Sequence, residues 1–174
     1  MNYANIYFDD YKNGNGYRTT LAVSGCDLNP HCEKCFNPFA WDFNFGQPFT
    51  EKEKQIILES LEKPYITGIS IIGGDPISNV KRDDVLLDLV KTIKTELNNK
   101  TIYVWTGYTY EEIIQNDKVK EFLKYIDMLR DGRYIPKLRD VNQYLQGSKN
   151  QRYINCKESL TQNKVIEYNW RVLK

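Results

Sequence analysis

Short runs of β-branched and apolar residues alternate with helix-patterned segments along most of the chain, and this alternation restricts the fold more than any other feature. The runs Arg18 to Ser24 (RTTLAVS), Ile66 to Ile72 (ITGISII), Thr101 to Trp105 (TIYVW) and Ile126 to Leu129 (IDML) are each short enough to be strands. Between them, Thr50 with Glu53 forms a capping box that starts a helix running to about Glu62. From Asp83 to Leu97, the residues Leu86, Leu89, Val90, Ile93 and Leu97 form one stripe of a helix packed on a sheet. A third helical region opens at Thr109, capped by Glu112, with a break predicted near Asp117 and an end at Tyr125. Strand, helix, strand at this spacing predicts right-handed βα units around parallel strands.

Four such units are too few to close an eight-stranded barrel. The predicted class is therefore α/β: an open, partial TIM-like barrel of mostly parallel strands, uncovered on one side. Nothing repeats and no Pro/Gly-rich linker interrupts the chain, so residues 1–174 are expected to form one domain. Ligands of such sheets bind at the C-terminal strand ends. Those ends carry the least ordinary residues of the chain: SGC, GGDP, TGY and DGR, in order.

Hydrophobic residues make up 41% of the chain, enough for a core, and 24 basic against 23 acidic residues leave a net charge of +1. No field of one sign recruits nucleic acid or anionic lipid. No stretch reaches the roughly 18 apolar residues of a membrane span, and Asp9 and Asp10 stand where a signal peptide needs a basic and then an apolar run. A cytoplasmic location is expected, where thiols stay reduced and clustered cysteines read as ligands or nucleophiles.

Cys26, Cys32 and Cys35 are spaced C-x5-C-x2-C on the loop leaving the first strand, so three thiolates can converge on one metal centre. Two chemistries fit that spacing. One is a structural zinc site using Cys26, His31, Cys32 and Cys35, although adjacent ligands at 31 and 32 strain a tetrahedron. The other is an iron-sulfur cluster on three cysteines, which leaves one iron of a four-iron cube open to reaction. Incidental cysteines in a plain βα domain are the remaining possibility. Taken alone, His31 reads as a solvated loop side chain and Cys156, in the polar segment YINCKES, as a lone thiol. GGDP taken alone reads as a tight turn ended by proline, and the NGNGYR loop from Asn13 to Arg18 as a turn lacking the features of a dinucleotide fingerprint. Trp105 is expected in the core and Tyr108 at the surface.

In order, NGNGYR, a strand, SGC-x5-C-x2-CFN, a helix, a strand ending in GGDP and a strand ending in WTGY resemble the radical S-adenosylmethionine enzymes. More narrowly, they resemble the activating proteins of anaerobic ribonucleoside-triphosphate reductases. The resemblance runs from Asn13 to the QGSKNQR segment at Gln146 to Arg152. It implies that Cys26, Cys32 and Cys35 hold a 4Fe-4S cluster whose free iron binds S-adenosylmethionine. It implies further that Gly73, Gly74 and Asp75 support the methionyl amino group, and that Lys34 and Phe36 pack near the adenosine. Reductive cleavage would then yield a 5′-deoxyadenosyl radical, which takes a hydrogen from a glycine of the large glycyl-radical subunit of the reductase. A low-potential electron donor such as flavodoxin is implied as a second partner, with no membrane and no direct nucleic-acid contact. The family's usual spacing is C-x3-C-x2-C, so this loop carries two more residues between its first two cysteines, with Asn29 and Pro30 among the five. A protein substrate agrees with a domain too small to surround what it acts on.

Overall fold

The computed structural model describes residues 1–142, 145 and 147–168; Gln146 of the QGSKNQR segment lies outside them. The chain runs through β1 (Asn2–Asp10), β2 (Tyr17–Val23), β3 (Gln47–Pro48), α1 (Glu51–Glu62), β4 (Ile66–Gly73), α2 (Pro76–Arg82), α3 (Val85–Glu96), β5 (Thr101–Trp105), α4 (Tyr110–Ile113), α5 (Asp117–Leu123), β6 (Met128–Asp131), β7 (Arg152–Asn155) and α6 (Cys156–Gln162). The strands form one open sheet in the order β3-β1-β2-β4-β5-β6-β7. Its centre, β2-β4-β5-β6, is parallel, as the βα alternation predicts. Its margins are antiparallel: β1 pairs with β2 and β3, and β7 with β6.

Both capping boxes form. Thr50 and Glu53 start α1, and Thr109 and Glu112 start α4. The break near Asp117 is real, because Asn116 caps a separate helix by accepting the N–H of Val119 at 3.0 Å. The fourth strand lies two residues later than its apolar run suggested, pairing from Met128 onward while Ile126 is spent on the core. GGDP differs more. Pro76 does not end a turn but occupies the first position of α2, where its missing N–H costs nothing, and Asp75 is the N-cap.

Successive strand residues point to opposite faces. Leu21, Val23, Ile69, Ile71, Ile102, Val104 and Leu129 join Ile57, Leu61, Leu86, Leu89, Ile93 and Phe122 from the helices in the main core. The opposite face carries a smaller apolar group centred on Tyr103, Met128 and Tyr153, to which no helix contributes among the described residues. Arg18, fully buried, lies on this second face. It donates to Ser70 Oγ at 2.7 Å, Thr101 Oγ1 at 2.9 Å and the Ile69 carbonyl at 2.6 Å, and its guanidinium lies 3.8 Å from the centre of the Tyr103 ring. The Asn13 carbonyl accepts the Ser70 hydroxyl at 2.5 Å, so NGNGYR is a fold element seated against this polar face. No helix of the described residues is long and apolar enough to cross a membrane.

Candidate cluster and cofactor site

The site begins where β2 and β4 end. Beyond β2 the chain turns at Gly25, whose N–H donates to the Ala40 carbonyl at 2.8 Å, and the Cys26 N–H donates to the Trp41 carbonyl at 3.0 Å. The turn after β4 is stitched to this same loop, with Gly74 N–H on Val23 O at 2.8 Å and Asp75 N–H on Gly25 O at 2.7 Å. This close approach explains the two glycines. A Cβ on Gly73, whose φ is +118°, would lie 2.2 Å from the Val23 carbonyl oxygen, and one on Gly74 would lie 2.4 Å from both the Ala40 and the Gly25 carbonyl oxygens.

Asp75 is 1% exposed. Its Oδ1 accepts the Ser78 N–H at 3.0 Å, capping α2, and its Oδ2 accepts the Thr106 hydroxyl and the Gly107 N–H, each at 2.8 Å. Burial pushes the carboxyl pKa up, and these three donors oppose the shift. The residue thereby joins the cysteine loop, the start of α2 and the TGY turn after β5.

Cys32 and Cys35 open onto a cavity of about 570 Å³ whose wall also includes Gly73, Gly74, Asp75 and Arg130. Cys26 is buried beside it and its thiol is pushed up to about 12 by burial; Cys32 is raised for the same reason. A Cβ on Gly107 would lie 3.6 Å from Cys32 Sγ, which places that sulfur directly over the TGY turn. Among the described residues, no three His, Cys, Asp or Glu side chains gather around one point as ligands of a single ion do. Three soft thiols on one loop, two of them lining the cavity, have the chemistry of an iron-sulfur donor set. His31 does not reach toward the cysteines as a fourth ligand. Its Nε2 lies 3.2 Å from the Cys26 carbonyl oxygen and its ring stacks on Trp41 with centroids 4.1 Å apart, so it is not a freely solvated side chain either.

A family model described as "4Fe-4S single cluster domain" matches residues 12–154. The anaerobic ribonucleoside-triphosphate reductase-activating protein of Pasteurella multocida is 40% identical over 153 residues, covering 87% of this chain and 95% of the relative. The chain belongs to this family of activating proteins. Its counterpart from Enterobacteria phage T4 is 40% identical, over 87% of this chain and 92% of the relative, and that of Escherichia coli K12 is 39% identical, over 87% and 96%. No solved structure matches the chain.

The matching family model is that of a 4Fe-4S single cluster domain, and three cysteines on one loop are a donor set of the kind such a cluster takes. Lys34 and Phe36 lie on the cavity wall with Cys32 and Cys35, and Phe36 is 92% exposed at its rim. Cys156 does not line the cavity and is fully buried in the main core at the start of α6. Residues that sequence reasoning left aside also face the cavity. Trp105 is half-buried, lining it while packing on the smaller apolar group of Tyr103, Met128 and Tyr153, and Arg130 of β6, Tyr134 beyond that strand and Gln151 just before β7 line it as well. Tyr108 is half-buried as well: its hydroxyl donates to Asp27 Oδ1 at 2.6 Å and Lys81 Nζ lies 3.6 Å from its ring centre. The only signal for this group was the position of TGY and DGR at strand ends.

Proposed function

We propose that this chain activates an anaerobic ribonucleoside-triphosphate reductase, using a 4Fe-4S cluster to cleave S-adenosylmethionine and place a glycyl radical on the large reductase subunit. The observation that carries the reading is the convergence of Cys32 and Cys35 with Gly73, Gly74 and Asp75 on one cavity, in a chain about two-fifths identical to activating proteins over most of its length. When bound, the cluster supplies one electron to the sulfonium, releasing methionine and a 5′-deoxyadenosyl radical. Cys26, Cys32 and Cys35 would hold it.

Gly73, Gly74 and Asp75 support the methionyl amino group. The glycine backbones admit it closely, and the Asp75 carboxylate, held by three donors, keeps the turn in place. Lys34 and Phe36 flank the adenosine at the cavity rim, and Phe36 shields it from water. The side of the sheet on which the described residues place no helix is the open side of an incomplete TIM-like barrel, and the reductase loop enters there. Residues 1–174 act as one radical S-adenosylmethionine domain in the cytoplasm, with a low-potential donor of the flavodoxin kind supplying the electron.

The deciding experiment is anaerobic reconstitution with iron and sulfide, followed by electron paramagnetic resonance of the dithionite-reduced protein with and without S-adenosylmethionine. A four-iron signal that changes on adding S-adenosylmethionine, with 5′-deoxyadenosine formed when the reductase is present, supports the reading. Stoichiometric zinc and no cluster would replace it with a metal-stapled binding module.

A further inference from the structure

The end of β6 and the turn beyond it, Arg130-Asp131-Gly132-Arg133-Tyr134, supply no cysteine, yet Arg130 and Tyr134 line the cavity onto which Cys32 and Cys35 open. Arg130 is largely buried, lines the cavity beside Cys32 and Cys35, and donates through Nη2 to Gln151 Oε1. Its Nε is buried without a partner, and so is the Nε of Arg133. The Arg133 Nη2 reaches back to the Asn29 carbonyl of the cysteine loop at 3.4 Å.

The segment is held firmly. Gln151 Nε2 donates to the Gly132 carbonyl at 2.8 Å, while its Oε1 also accepts the N–H groups of Gly147 at 3.2 Å and Ser148 at 3.1 Å. Asp131 is buried, accepts the Tyr110 N–H at 2.8 Å and pairs with Arg152. Two cations with buried, unsatisfied N–H groups are costly to keep beside a cavity. Their position against a cluster ligand points to what offsets that cost.

We propose that Arg130 and Arg133 raise the reduction potential of the cluster beside Cys32. The potential of an iron-sulfur cluster follows the charge around it and the hydrogen bonds to its sulfurs. Accepting one electron adds a negative charge, which two nearby guanidiniums favour. Arg130 and Arg133 are thus positioning residues that bring the cluster within reach of its electron donor. The inference rests on the cluster reading above.

The test is a dithionite titration of the reconstituted full chain, followed by electron paramagnetic resonance, without S-adenosylmethionine and with iron and sulfide content measured on every sample. R130Q and R133Q, at wild-type iron and sulfide content, are expected to reduce at lower potential than wild type, with the double variant lower still. R130K is expected to return toward wild type, and the surface control K118Q to leave the potential unchanged. Gln variants that titrate with the wild type, or an R130K variant as low as R130Q, would overturn the proposal. Unchanged potentials also describe an Arg130 that serves only to bind an anion in the cavity. Should R130Q fail to load a cluster, R133Q decides alone, an unchanged potential refuting the inference. A wild-type chain that takes up no cluster defeats the cluster reading instead.

Discussion

Asp75 Oδ2 takes the main-chain N–H of Gly107 at 2.8 Å, which ties the turn after β4 to the turn after β5 beneath the cavity. The same carboxylate takes the Thr106 hydroxyl and caps α2 through Ser78. Asp75→Ala leaves three donors without their acceptor, two of them main-chain N–H groups. Leaving buried donors unpaired and losing a cap costs about 2–4 kcal/mol. Urea unfolding of the two proteins at neutral pH measures it; a loss under about 1 kcal/mol would mean that water replaces the carboxylate.

Gly74→Ala puts a methyl group 2.4 Å from two carbonyl oxygens, both on backbone that cannot rotate away. The cysteine loop must then separate from the turn. A destabilisation of about 1–3 kcal/mol is expected, together with weaker cluster uptake at equal protein concentration. Thermal unfolding and iron content after reconstitution report the two effects, and a variant that matches wild type in both contradicts this packing.

Replacing Cys26, Cys32 or Cys35 singly by alanine is expected to abolish S-adenosylmethionine cleavage, measured as 5′-deoxyadenosine. Cys156→Ala removes one fully buried sulfur that does not line the cavity. It should keep cleavage largely intact and cost about 1 kcal/mol of stability for the void it leaves. Retained cleavage in the Cys32 variant would overturn the ligand assignment.

Arg18→Lys keeps the charge but not the planar fork that meets Ser70, Thr101 and Ile69 together. Stability should fall by about 2–3 kcal/mol as buried carbonyl and hydroxyl groups lose their donors. Urea midpoints of the two proteins measure the loss, and a midpoint unchanged by the substitution would show that lysine satisfies the same groups.

Acid should unfold the protein progressively below about pH 5. The Thr50 hydroxyl and N–H hold Glu53 below the ordinary glutamate range, and the Thr109 N–H does the same for Glu112. A carboxylate with a depressed folded pKa stabilises above its unfolded pKa, and that contribution is lost as pH falls through the folded value. Denaturation midpoints of wild type and of the E53Q/E112Q double variant, followed from pH 7 to pH 3, test this. The variant should start less stable and lose less on acidification; parallel curves would deny both carboxylates a role.

The helices α1 and α3, both capping boxes and three of the central parallel strands, β2, β4 and β5, were legible in the sequence because each depends on local spacing: a stripe at helical period, a threonine three residues before a glutamate, a run of β-branched residues. The cysteine spacing was legible in the same way, because three thiols on one loop are close in sequence. Other features are contacts between distant segments, which no local pattern records. β1 and β7 join the sheet at its margins by pairing across the chain, and β1 alternates too poorly to stand out, with exposed Tyr7 and Phe8 adjacent. The sequence determined that three thiols would share a loop at a strand end. Tertiary structure alone decided that Asp75 would face inward to Gly107, that Arg18 would be buried across the sheet, and that Arg130 would share a cavity with Cys32, since burial and neighbourhood belong to space and not to spacing.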